Sequence, residues 1–434
     1  MIIFKRKIEI YSLISFLIFK LSVDFGFYYI LSKDATTYIR DFNSLKFLNG
    51  LIWCNLLYLL IRFDKRNVSS FFLLFKLLLE IVPITTIYAF SNQSIYYYNM
   101  LALSFGFCEL LVGWLPEIKQ NKVCPDLSTV MIIALTFLAL AITIFIFKIG
   151  GIPSLEAFNI YKVYEIRKTN AISLSKYLNY CFEWMIWVIF PFWITRYLEL
   201  KRYVRSLILS LIIICFYLYF GHKTFLFSLP LIIICTLWSH RKRFSEEFSI
   251  IFGFGHLILV FLATKFNLFY QIYSLIGRRV MIVSANNKFN YYDFFSHNVK
   301  LGLVGVFPQW LVNLNNPYPE GIGHIIAKEY YNNPVMNSNT GFLAEGYMRF
   351  GMAGIFLTMI FLSLLLRLMD TYQKNTSYSI AIGTCIYLIF DLSDGHLIDS
   401  LFFGPWMILI LLLLFYSGSR TKLKAGRFNI HFKL

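Results

Sequence analysis

Charge is what this sequence has least of. Asp, Glu, Lys and Arg together supply 15% of its 434 residues, where a chain dressed for water carries about 25%, and the mean hydropathy is +0.64. That shortfall excludes a soluble globular fold. Acidic residues are the scarcer half, 23 against 40 Lys and Arg, which leaves a formal net charge of +17. The basic excess forms no single stripe or tail of the kind that grips nucleic acid, so no nucleic-acid partner is expected; it falls in short clusters between apolar runs, a pattern that orients membrane helices. Cysteine is sparse, and its seven residues include no CxxC pair. All but Cys124 lie inside apolar runs, where they serve as small packing residues, so neither disulfides nor a zinc site are expected. Also missing are a Gly-rich phosphate loop closing on Lys-Ser/Thr, an HExxH helix and a GxSxG elbow. There is no useful internal repeat and no matched pair of interrupted helices of the inverted-repeat transporter kind. No small-residue cleavage site follows Lys5, Arg6 and Lys7, so the first apolar run reads as an uncleaved helix.

What is abundant is apolar. Hydrophobic residues make up 58% of the chain and aromatics 19%, an aromatic share that AT-rich codons can partly explain. At about 20 apolar residues per crossing, the sequence has room for roughly ten to twelve helices. Runs near 9–31, 44–62, 69–90, 98–116, 128–148, 176–195, 205–220, 224–239, 247–265, 345–366, 377–391 and 399–417 fill that room. The expected fold is an all-α polytopic membrane protein of about twelve transmembrane helices with one long outer loop. Its segments are 1–264 for the helices before the loop, 265–344 for the loop with interfacial helices, 345–417 for the last helices and 418–434 for a basic tail. More than half of the 40 basic residues fall in the short loops of one side, which places both termini in the cytoplasm. Around Gly221–Thr224 the two short runs also fit one bent helix with a re-entrant segment.

A loop as long as 265–340 is usually functional. Four constellations stand out, the first three in or beside it. Gly277-Arg278-Arg279 follows apolar residues at helical spacing, and guanidinium binds phosphate bidentately without losing its charge; the alternative is that both arginines snorkel to ordinary phospholipid phosphates. Adjacent helical residues diverge by about 100°, so one of the two at most faces a site. Tyr291-Tyr292-Asp293-Phe294-Phe295-Ser296-His297 puts Asp293 and His297 four apart, a candidate acid–base unit beside rings such as Tyr292 that stack on sugars or form an interfacial belt. Asn339-Thr340-Gly341-Phe342-Leu343-Ala344-Glu345-Gly346-Tyr347-Met348-Arg349 sets Glu345 and Arg349 at i,i+4, at a helix mouth where ionisable groups are either paired or functional. Asp391-Leu392-Ser393-Asp394-Gly395-His396-Leu397-Ile398-Asp399 packs three acids and a histidine into one turn, with no defensible metal-ligand spacing. Lys76 and Glu80 read as a structural pair, and Glu109 and Glu183 have no partner visible in the sequence.

The Asn-Thr-Gly-Phe-Leu-Ala-Glu-Gly-Tyr…Phe-Gly-Met-Ala-Gly block, the preceding loop with Tyr-Tyr-Asp-Phe-Phe, the Gly-His-Lys-Thr turn at 221–224 and the late Asp-Gly-His turn together resemble the Wzy-type oligosaccharide repeat-unit polymerases of O-antigen and capsule assembly. The resemblance spans roughly residues 215 to 410 and rests on layout plus short motifs. It implies a membrane glycosyltransferase of the bacterial inner membrane, related in architecture to the O-antigen ligases, that joins undecaprenyl-pyrophosphate-linked oligosaccharides without cofactor or metal. A chain-length regulator and a flippase are the partners it implies, beside the bilayer. By loop position Arg278 or Arg279 matches the outer-loop arginines on which the family relies. On this chain's own chemistry one of them would hold the pyrophosphate, with His222, Lys223 and Arg349 as further phosphate contacts and Tyr292 and Tyr347 as substrate-binding rings. His297, Glu345 or Asp293 would be the base. A lipid-linked oligosaccharide flippase and an O-antigen ligase are the rival readings.

Overall fold

The computed structural model describes residues 2–31, 41–63, 66–116, 125–151, 153, 155, 174–306, 312, 314–318, 320–375, 377–415, 422–425 and 428–431. Cys124, most of residues 150–175 and, towards the basic tail, 416–421, 426, 427 and 432–434 lie outside them.

Helices make up nearly all of the described chain. They run α1 (Ile2–Phe25, continued by wider π turns at Gly26–Leu31), α2 (Ser44–Leu60), α3 (Val68–Phe90, with π turns at Leu77–Ile81), α4 (Ile95–Trp114), α5 (Pro125–Gly150), α6 (176–199), α7 (Tyr203–Phe220), α8 (Lys223–Trp238), α9 (Phe244–Ala263), α10 (267–297), α11 (Ile322–Tyr331), α12 (Phe342–Asn375), α13 (Tyr378–Asp394), α14 (Leu397–Phe403) and α15 (Pro405–Phe415). A short antiparallel hairpin, β1 (Lys422–Ala425) with β2 (Phe428–His431), pairs Lys422 with His431. Local chemistry sets several boundaries. Asn43 Oδ1 accepts from Lys46 N at 3.1 Å and Ser94 Oγ from Tyr97 N at 3.3 Å, capping α2 and α4. Gly221, at φ +62°, ends α7 in the left-handed conformation, so 205–239 forms two helices rather than one bent one.

Among the described residues, seven helices are long and apolar enough to cross a membrane: Glu9–Leu31, Val68–Phe90, Ile95–Trp114, Val130–Gly150, Tyr203–Phe220, Phe244–Ala263 and Phe342–Gln373. Ser44–Leu60 and Lys223–Trp238 are apolar but shorter. The chain is thus a helical membrane protein, as its composition requires. The run expected at 399–417 is split at Gly404, because Pro405 has no N–H to continue α14 and starts a new helix instead.

The chain divides into two compact units that interleave in sequence: residues 1–115, 242–366 and 391–399 form the first, and 116–241, 367–390 and 400–434 the second. Within the first unit α10, from the long loop, packs on α3.

The first unit is built around α3, whose apolar window is entirely buried. That burial is what lets a spanning helix carry Lys76 and Glu80, since neither faces lipid. Helices α1 and α9 approach so closely that a Cβ on Gly253 would sit 2.4 Å from the Ser15 carbonyl oxygen. Ser15 Oγ donates to the Ile250 carbonyl at 2.9 Å, and Ser22 Oγ lies 2.6 Å from His256 Nδ1. Small hydroxylated residues at a crossing do this in membranes, where dispersion and hydrogen bonds replace the hydrophobic effect. Tyr273 of α10 wedges against Gly26, where any Cβ would fall 1.9 Å from its hydroxyl.

The second unit holds together through rings. Phe182 meets Phe216 and Phe220, Trp187 meets Phe225 and Tyr387, and Tyr387 Oη donates to the Phe225 carbonyl at 2.9 Å. A Cβ on Gly383 would lie 2.1 Å from Thr195, so α6 and α13 touch at that glycine.

Candidate functional site

Four short segments distant in sequence converge in the first unit. The segment 391–396 reaches the start of α12 because Gly341 has no side chain: a Cβ there would be 2.5 Å from the Ser393 carbonyl oxygen and 2.7 Å from that of Leu392. Glu345 fastens the same junction. One carboxylate oxygen accepts the Ile398 amide at 3.1 Å, capping α14, and the other receives Arg349 Nε at 3.2 Å. Arg349 in turn donates to the carbonyls of Gly302 and Val304 at 3.0 and 2.8 Å, pinning the stretch after α10. Both side chains are buried, and both are committed to holding backbone. Glu345 is therefore a cap and a counter-ion rather than a free base.

The other side of the site is an amide and phenol lattice. Tyr331 Oη donates to Asn287 Oδ1 at 2.7 Å and accepts from Asn286 and Asn290 at 3.0 and 3.2 Å, tying α11 to α10. Asn287 Nδ2 donates to the Asn339 carbonyl at 2.6 Å, and Tyr291 Oη to that of Ser338 at 2.9 Å. Between these walls lies a cavity of 330 Å³, lined by Tyr291, Arg349, His396, Asn337, Asn339 and Glu320 among others. Its size suits one or two sugar rings, and its lining is rich in groups that bond hydroxyls.

Below it, three buried charges form one cluster. Glu80 takes Lys76 Nζ at 2.7 Å on one oxygen and Lys288 Nζ at 3.0 Å on the other. Lys76 also donates to Ser393 Oγ at 2.9 Å and Lys288 to Ser284 Oγ at 2.9 Å, while Ser284 Oγ donates to the Ser393 carbonyl at 2.8 Å. The surplus positive charge has Asp394, Arg279 and the lysines in one electrostatic neighbourhood, with Asp394 exposed. The cluster thus holds α3, α10 and the 391–396 turn in register.

The candidate residues from the sequence divide accordingly. Arg278 and Arg279 are both exposed on the π turns Ser274–Val283 and do not line the cavity. Asp293 and His297 share the end of α10, yet among the described residues no ion pair joins them: the Asp293 carboxylate accepts from Tyr330 Oη at 2.6 Å, and His297 is exposed at the last turn. Burial and that carboxylate push the Tyr330 phenol up from its usual value. Tyr292 and Tyr347 pack on each other, centroids 5.0 Å apart, and on Tyr97, stacked on Tyr292 at 4.3 Å, so their faces are occupied by protein. Lys300 covers the Tyr347 ring at 5.5 Å. His222 and Lys223 belong to the second unit, at the start of α8.

Lys288, Tyr331 and Glu320 stand outside the four constellations of the sequence, whereas His396 is the histidine of the fourth. The one advance signal for Lys288 is its company: Asn286, Asn287 and Asn290 on one helix with aromatic neighbours give α10 a polar face that needs a partner. Among the described residues no group of three His, Cys, Asp or Glu is placed to hold a metal ion. No protein-family model matches the chain, and comparison with curated proteins and with solved structures finds no match.

Proposed function

We propose that the protein is a polytopic glycosyltransferase that polymerises oligosaccharide units carried on undecaprenyl pyrophosphate, at the outer face of the inner membrane and with about twelve crossings. The observation that carries the reading is the convergence of the 291, 339–349 and 391–396 segments on one cavity whose lining places Arg349, Glu320, His396 and three asparagines together, in a protein otherwise built of apolar helices. Exposed Arg278 and Arg279 in the same unit supply guanidinium for a lipid pyrophosphate at head-group depth.

In this reading the acceptor hydroxyl oxygen attacks the anomeric carbon of the donor sugar, the bond from that carbon to the pyrophosphate oxygen breaks, and His396 takes the hydroxyl proton. Pyrophosphate is a good leaving group, so charge neutralisation and positioning do most of the work. His396 replaces His297 as the base because it lines the cavity whereas His297 is exposed at the end of α10. Glu345 and Arg349 position His396 through the Ile398 amide and the 301–304 turn.

A deletion strain tests the reading by what accumulates. Loss of a polymerase leaves single repeat units at the surface or on the carrier outside; His396→Ala at normal protein level reproduces that phenotype. Units trapped inside indicate a flippase, and undiminished long chains left on the carrier indicate a ligase; either result overturns the proposal.

A further inference from the structure

A second cavity, of 350 Å³, lies where the end of α1, the start of α2 and the end of α3 meet. It shares no lining residue with the cavity of His396 and Arg349. Those are helix ends rather than helix middles, so a polar ligand reaches it from the head-group region. Asp41 N donates to the Phe90 carbonyl at 3.0 Å and Asn43 N to that of Ala89 at 2.9 Å, which fixes the Phe42 ring 4.9 Å from Phe90. Tyr28 and Tyr29 meet edge to face on the opposite rim at 4.9 Å. Tyr29 and Phe42 are each 51% exposed, so the rim of the pocket presents half-exposed rings.

Asp24 forms the polar part of the wall. It is 4% exposed. Its Oδ1 accepts from Lys20 Nζ and from Thr86 Oγ1, the latter at 2.7 Å, while its Oδ2 has no hydrogen-bond partner among the described residues. A carboxylate oxygen buried without a donor is costly, and a ligand that donates to it removes the cost. Lys20, buried on the other oxygen, already balances the charge. An ammonium ligand would therefore meet Lys20 across one carboxylate, whereas a neutral hydroxyl meets no such repulsion.

We propose that this pocket binds a neutral sugar residue, its ring packed on the aromatic side chains and one hydroxyl donating to Asp24 Oδ2. Broad ring faces bury the C–H side of a pyranose, and the single acceptor orients it. This site stands whether or not the protein polymerises glycans.

The test uses the full chain in detergent micelles and saturation-transfer NMR with the methyl glycosides of glucose, galactose and N-acetylglucosamine, with glucosamine and glucuronate as charged comparators. A neutral glycoside should bind, Asp24→Asn should weaken it at least tenfold, and His396→Ala should leave it unchanged. Asp24→Asn strands Lys20, so the half-exposed pair Tyr29→Ala and Phe42→Ala carries the test if that variant does not fold; each should weaken binding several-fold without shifting the melting temperature. The proposal is overturned if no neutral glycoside binds, if glucosamine outcompetes them, if binding follows His396 rather than the rim, or if native mass spectrometry finds a phospholipid chain there that no sugar displaces.

Discussion

Asp293 touches the next helix through one hydroxyl, and that hydroxyl titrates. Burial first, and the Asp293 carboxylate second, raise the Tyr330 phenol above its usual value near 10. A folded-state pKa raised above the unfolded one gives stability that is complete below about pH 10 and is lost as pH climbs through the folded value. Packing of α11 on α10 should therefore be independent of pH from 8 to about 10 and loosen above it. Limited proteolysis at exposed Lys328 reads this directly: the alkaline rise in cleavage should shrink in Tyr330→Phe, with the part-buried Tyr331 phenol, also raised by burial, accounting for the remainder, and an unchanged profile would remove Tyr330 as a cause. Residues of this kind also mark how far the sequence can be read. The pairs Lys76–Glu80 and Glu345–Arg349 are legible because i,i+4 spacing on a helix brings their side chains together. That Glu80 also holds Lys288, and that Glu345 also caps Ile398, depends on contacts between residues far apart in the chain, which no local spacing encodes.

At the scale of the element, α12 is one apolar run in sequence but bends at Phe350 and Gly351 in space. Gly351 has φ +65° and ψ −145°, a conformation essentially reserved for glycine. A few residues on, the Gly346 and Gly354 backbones touch, with a Cβ on Gly354 falling 1.9 Å from the Gly346 carbonyl oxygen. The bend lets Glu345 and Arg349 point into the site while the rest of the helix runs through the membrane. Gly351→Ala should cost about 1–3 kcal/mol. Gly255→Ala in α9, where a Cβ meets nothing within 4 Å, should be neutral or stabilise by up to about 1 kcal/mol. Thermal unfolding in detergent compares the two, and equal melting temperatures would show that the bend is not held by Gly351. The sequence shows Gly351 and Gly354 as part of the Phe-Gly-Met-Ala-Gly block but not the bend they serve, because an apolar stretch fits a straight helix equally well.

Across the whole molecule, the helical membrane fold follows from composition alone, and what composition leaves open is the path of α10. Over 267–297 it is long enough, at about 1.5 Å per residue, to cross a hydrocarbon core of about 30 Å. Its residues argue the other way. Arg278, Arg279, Lys288 and Asp293 lie along it, and each charge at mid-bilayer costs about 2.5–3.5 kcal/mol on an insertion scale. Lys288 sits in a buried ion-pair cluster, whereas both arginines are exposed at the surface. We therefore expect α10 to stay on one side, with α9 the single crossing between residues 242 and 333. The consequence can be measured. Lys242 and Asn333 are both exposed positions of the first unit, and cysteines placed there should react with a membrane-impermeant maleimide from opposite sides: Asn333→Cys in intact spheroplasts, Lys242→Cys only after permeabilisation, with the parent protein as the blank. If α10 crosses, the second passage returns the chain to its starting side and both cysteines label together. That outcome would move Arg278 and Arg279 into the bilayer, and pyrophosphate binding at head-group depth would have to be abandoned with the topology.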